Sequence, residues 1–79
     1  MDLTYDPQFN IAYIRLRRKG AKVTTVAVSN ELNVDVGADG RIYGIELLNA
    51  NQQLGSQRVK TLKVTNRQSG KKGVLALAC

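Results

Sequence analysis

Hydrophobic and polar residues alternate with a period of two through much of the chain, the pattern of strands buried on one face. Across residues 10–18, Ala12, Ile14 and Leu16 share one face, while Ile11, Tyr13, Arg15 and Arg17 share the other. Both faces begin apolar, so part of the second is expected to be covered as well. Before this segment, Thr4-Tyr5-Asp6-Pro7 reads as a short strand that stops at a turn, because the residue before a proline is held out of the helical region. After it, Lys19-Gly20-Ala21 supplies a turn, and residues 22–28 are rich in Val and Thr, which suit a pleated surface. Ser29-Asn30 marks another turn. Leu32, Val34 and Val36 then alternate with Asn33 and Asp35 as a half-buried strand. Ala38-Asp39-Gly40 follows as a hairpin loop whose Asp-Gly pair meets the positive φ of tight turns.

Residues 41–48 form the next expected strand, and Gly44 inside it points to a bulge or a close approach of another group to the backbone. Asn49 is expected to cap a short helix over residues 50–54, with Gln52 as its capping-box partner and Gly55 as the stop. The remainder has a different character. Val59, Leu62 and Val64 are interleaved with Arg58, Lys60 and Lys63, which suits a charged edge strand. Residues 66–73 read as a polar loop, and residues 74–78 as a last strand or a frayed terminus. The fold class is mainly β or α+β: a small antiparallel sheet of four to five strands, one short helix near 49–54, and a basic C-terminal segment. The chain divides accordingly into a β-rich domain, 1–55, and a segment, 56–79, that forms either an edge strand or a flexible arm.

Charge sharpens that division. Residues 1–55 carry six Lys or Arg and six Asp or Glu; residues 56–79 carry six Lys or Arg and no acid. The net charge of +6 therefore resides in the last third. Such a segment is either a solubilising tail or a phosphate-binding arm. It contains no aromatic residue, which argues against base stacking and for contact through phosphates. With 79 residues the chain has room for one domain with a thin core, and a second copy is the simplest cover for an exposed sheet face. A homodimer is expected on that ground. Cys79 is the lone cysteine, so no disulfide forms within the chain, in keeping with a reducing, cytoplasmic setting. No secretory pattern opens the sequence, and no apolar run is long enough to span a bilayer.

The ordered set Tyr5-Asp6-Pro7, Tyr13-Ile14-Arg15-Leu16, Asn33-Val34-Asp35, Asp39-Gly40-Arg41 and Gly44-Ile45-Glu46-Leu47-Leu48-Asn49-Ala50 resembles the small bacterial domain-of-unknown-function family 2283. The resemblance covers residues 2–54. It implies a small antiparallel sheet with a short helix, and no established activity. Two departures stand out. Members usually carry an acid where Asn10 stands and are mostly acidic, and residues 56–79 are not part of the pattern.

Sites of chemistry are sparse. Asp35, Asp39, Gly40 and Glu46 fit a calcium-loop pattern except at Gly37, where an oxygen ligand belongs; the strand-like flanks favour a hairpin, so calcium binding is not expected. Ser69-Gly70-Lys71-Lys72 is similar to the end of a phosphate-binding loop, but Thr65 and Lys72 replace its first glycine and its Ser/Thr. The chain has no histidine, and Cys79 has no base beside it, so no enzyme and no cofactor or metal are expected. Asp6, Asp35, Asp39 and Glu46 are the carboxylates with any scope to converge, and turn or surface roles suit them better. Tyr5, Phe9, Tyr13 and Tyr43 are assigned to core packing. The leading functional expectation is a nucleic-acid-binding accessory protein, with duplex DNA as partner. Arg58, Lys60, Lys63, Arg67, Lys71 and Lys72 would neutralise phosphates, and Arg17, Arg18 and Lys19 would extend the surface. The alternative is a protein-interaction or structural module with a solubilising tail. No membrane partner is expected, and the sequence identifies no small-molecule substrate.

Overall fold

The computed structural model describes residues 1–18, 22–55 and 60–77. Seven strands and one helix follow in the order β1 (Asp2–Asp6), β2 (Ile11–Arg15), β3 (Val23–Ser29), β4 (Leu32–Gly37), β5 (Ile42–Leu48), α1 (Ala50–Gln53), β6 (Lys60–Thr65) and β7 (Lys72–Leu77). The first five build one antiparallel sheet with the spatial order β1-β2-β5-β4-β3. The β1–β2 hairpin docks onto β5, the last strand of the β3–β4–β5 meander, so β1 and β3 are the two edges. The last two strands pair only with each other, as a two-stranded ribbon. Residues 60–77 thus form a hairpin of their own rather than a sixth strand of the main sheet.

Local chemistry sets the turns. Asp6 Oδ1 accepts from the backbone N–H of Gln8 at 2.9 Å, which closes the turn after β1. In the β4–β5 hairpin, Asp39 Oδ1 accepts from Arg41 N at 3.0 Å, and Gly40 takes φ 80°, as the Asp-Gly pair requires. The β3–β4 turn is held by Ser29 Oγ, which accepts from Glu31 N.

Strand pairing separates the two faces. Leu3, Ile14, Ile45, Val34 and Val26 lie opposite one another in a single row, and Tyr5, Ala12, Leu47, Leu32 and Ser29 form the next. This is the apolar face. The other face carries the rows Asp2, Arg15, Gly44, Asp35, Thr25 and Thr4, Tyr13, Glu46, Asn33, Ala27. The alternation of β2 thus continues across all five strands. Helix α1 packs against β2, and among the described residues the buried hydrophobic ones are Ala12 and Ala50, both 0% exposed. No large apolar side chain among the described residues is fully buried. Phe9 is 67% exposed and Tyr13 belongs to the polar face, so neither serves the core as expected.

The helix is capped differently from the sequence expectation. Asn49 has left-handed backbone angles and makes no side-chain cap bond; its Nδ2 donates to Gln52 Oε1 at 2.8 Å instead. The cap comes from Asn10, in the distant β1–β2 turn. Asn10 Oδ1 accepts from Asn51 N at 2.8 Å, and its carbonyl oxygen accepts from Ala50 N at 2.9 Å. A side chain remote in sequence outcompetes the local one because Asn49, at φ 52°, is turned away from capping geometry. The helix ends at Gln53, with Gly55 at φ 96° beyond it.

Candidate nucleic-acid interface

The ribbon owes its shape to an alternating sequence and an Asn-centred turn. Lys63 lies opposite Val74 and Thr65 opposite Lys72, while Leu62 lies opposite Leu75 and Val64 opposite Gly73. By the period of two, Lys63 and Lys72 share one face as diagonal neighbours, and Leu62, Val64 and Leu75 share the other. At the tip, Asn66 Oδ1 accepts from Gln68 N at 3.0 Å and Ser69 N at 3.1 Å, and Asn66 O accepts from Gly70 N at 2.7 Å. Ser69 Oγ accepts from Lys71 N at 3.2 Å. Ser69 and Gly70 therefore build a hairpin turn, which accounts for the fragment similar to a phosphate-binding loop.

Arg67 and Lys71 stand on this turn, and Lys63, Arg67, Lys71 and Lys72 are all exposed. Lys60 opens β6, its backbone paired with Leu77. Arg58 and Lys19 lie outside the described residues. Arg17 and Arg18 follow β2 and are exposed; the backbone N–H groups of Leu16 and Arg17 both donate to Tyr43 O, which ties this stretch to the start of β5. Arg15, Arg17 and Arg18 border a polar hollow with Met1 and Asp2. Met1 also borders an apolar groove of about 440 Å³, lined by Leu3, Ile14 and Leu54 of the body and by Leu62 and Leu75 of the ribbon. Met1 thus adjoins both the Arg15–Arg18 stretch and the apolar face of the ribbon.

The polar sheet face carries a second arrangement, which the alternation alone does not announce. Tyr13 Oη donates to Asp35 Oδ2 at 2.7 Å, and Thr25 Oγ1 donates to Asp35 Oδ1 at 2.7 Å. Asn33 Nδ2 donates to Glu46 Oε1 at 2.9 Å. To reach Asp35, the Tyr13 ring crosses Gly44, where a Cβ would overlap its hydroxyl and ring. Gly44 therefore marks a close approach, and a register shift adjoins it between Asp35 and Val36. Burial first, then the hydrogen bond to Asp35 and the negative charge there, push the Tyr13 hydroxyl above its ordinary pKa.

Asp35 and Glu46 line one hollow with Thr4, Tyr13, Arg15 and Thr25, while Asp6 and Asp39 serve their turns. Two of the four carboxylates considered from the sequence are brought to one face, with side-chain donors already on both. Asp35 and Glu46 sit on strands and Asp39 on a hairpin turn, so the calcium-loop pattern is not realised as a loop. Among the described residues, no group of three His, Cys, Asp or Glu is placed to hold a metal ion. No helix among them is long and apolar enough to cross a membrane.

Residues 2–51 match the family model described as protein of unknown function (DUF2283). The chain belongs to that family. The DUF2283 segment spans all five strands of the main sheet and the first two residues of α1, and the ribbon lies beyond it. No curated protein and no solved structure matches the chain. Within the DUF2283 segment, Tyr13, Asp35 and Gly44 act together: glycine makes room for the ring, and the ring reaches the carboxylate. Asn10, in the same segment, offers the oxygen that accepts from Asn51 N.

Proposed function

We propose that this DUF2283 protein is a non-enzymatic nucleic-acid-binding accessory protein that engages duplex phosphates through the β6–β7 ribbon. The observation that carries the reading is the coincidence of charge and shape. Residues 56–79 carry six basic residues and no acid, and five of the six, Lys60, Lys63, Arg67, Lys71 and Lys72, fall on a two-stranded antiparallel ribbon or its turn. A two-stranded ribbon is of a size that the major groove of duplex DNA admits. Lys63 and Lys72 on one ribbon face, with Arg67 and Lys71 at the tip, give four exposed cations to neutralise phosphates and release their counterions. Arg17 and Arg18 extend the contact. Base readout plays a small part, because the ribbon offers no aromatic residue and mostly point-charge lysines.

The test is an electrophoretic mobility assay on mixed-sequence duplex DNA with the full chain and with a Lys63→Ala, Arg67→Ala, Lys72→Ala triple variant. All three positions are exposed, and such substitutions usually change stability by less than about 0.5 kcal/mol each. The triple variant is expected to keep its melting curve and lose most of its binding. Retained binding with an unchanged melt would remove the ribbon from the interface.

A further inference from the structure

The chain exposes more surface than a folded monomer of its size. A compact monomer of 8.7 kDa exposes about 4,700 Å², whereas this chain exposes 6399 Å². The excess is about 1,700 Å² per chain. The radius of gyration says the same: 14.1 Å, against about 11.6 Å for a compact chain of this length. Obligate homodimers bury about 2,000–5,000 Å² in total, or about 1,000–2,500 Å² from each partner. The excess, to which the exposed Val64, Val74 and Leu75 of the ribbon also contribute, falls within that range.

Part of that surface is apolar and lies on the sheet. On the apolar face, Val26 is 46% exposed and Ile42 45% exposed, and Val34, Val36 and Ile45 beside them are only half-buried. Helix α1 packs on β2, so it leaves this end of the face uncovered. The paired rows of the face hold no charged residue. A second copy could therefore approach without burying an unpaired charge. The 1–55 body is also neutral, so two bodies do not repel.

We infer that the apolar strip around Val26 and Ile42 is the interface of a homodimer, covered by the same strip of a second copy across a two-fold axis. Such an isologous contact needs only a surface complementary to itself, and an uncharged strip of β-branched residues suits that need. The inference stands apart from whatever the ribbon binds.

Sedimentation equilibrium and thermal melts on the full chain, without nucleic acid, test it. The expected mass at micromolar concentration is twice 8.7 kDa, with a melting temperature that rises with protein concentration. Val26→Lys is expected to weaken association by on the order of 100-fold. Ala27→Lys, one residue along β3 on the polar face, is expected to leave the mass unchanged. Should Val26→Lys fail to fold, Thr24→Lys, also on the apolar face, takes its place. A single-chain mass for the parent protein, with a melt independent of concentration, would overturn the inference. So would equal disruption by the apolar-face variant and Ala27→Lys, which would move the contact to the β3 edge.

Discussion

At the scale of single residues, Tyr13 shows how one side chain links three strands. It stands on β2, passes over Gly44 on β5 and donates to Asp35 on β4. Its ionisation has a defined consequence for stability. The folded hydroxyl titrates above the unfolded one, so the folded chain holds this proton at a pH where the unfolded chain has lost it. The contribution is full below the unfolded value and fades as pH rises through the folded one. Urea melts at about pH 8 and about pH 11 are expected to show an alkaline loss of stability that is smaller in Tyr13→Phe. An equal loss in both proteins would show that the proton on Tyr13 does not matter.

The same residue marks the limit of the sequence reading. Alternation places Tyr13 opposite Ala12 and Ile14, which is correct, but not whether its face is apolar. That depends on Asp35, Glu46 and Asn33 arriving from β4 and β5, a matter of register between distant segments. Gly44 was legible because a glycine within a strand signals a close approach, although not which side chain makes it.

At the scale of elements, strands and turns were readable because their determinants are local. The period of two fixed the faces of β2 and β4, and Asp39-Gly40 and Ser29-Asn30 fixed the turns. The helix was placed correctly, but its cap was assigned to Asn49 when Asn10 supplies it, since a cap from a remote turn leaves no local trace. That exchange can be measured. Asn10→Ala removes the acceptor for Asn51 N and puts an alanine at φ 57°. The loss is expected to be about 2 kcal/mol, or on the order of 10 °C in melting temperature. Asn10→Gly tolerates the backbone angles but lacks the cap, and is expected to fall between alanine and the parent. If Asn10→Ala melts with the parent, α1 does not depend on the β1–β2 turn. The ribbon, by contrast, was only half legible: alternation in 59–64 signalled a strand, but pairing with residues 72–77 rested on the Asn66 turn, which the sequence presents as an undifferentiated polar loop.

At the scale of the whole molecule, a neutral five-stranded sheet that carries the DUF2283 pattern is joined to a basic ribbon that lies beyond it. The charge asymmetry was readable by counting; that it is displayed on a paired ribbon was not. If this ribbon binds duplex phosphates, its affinity must fall steeply with salt. Fluorescence anisotropy on a labelled mixed-sequence duplex, across about 50–200 mM salt, gives the slope of log affinity against log salt concentration. Each phosphate contact contributes about −0.9 to that slope. With the four exposed ribbon cations engaged, and Arg17 and Arg18 in part, a slope of roughly −3 to −5 per chain and little preference among sequences are expected. Absence of binding at the lowest salt, or a slope near zero, would contradict it.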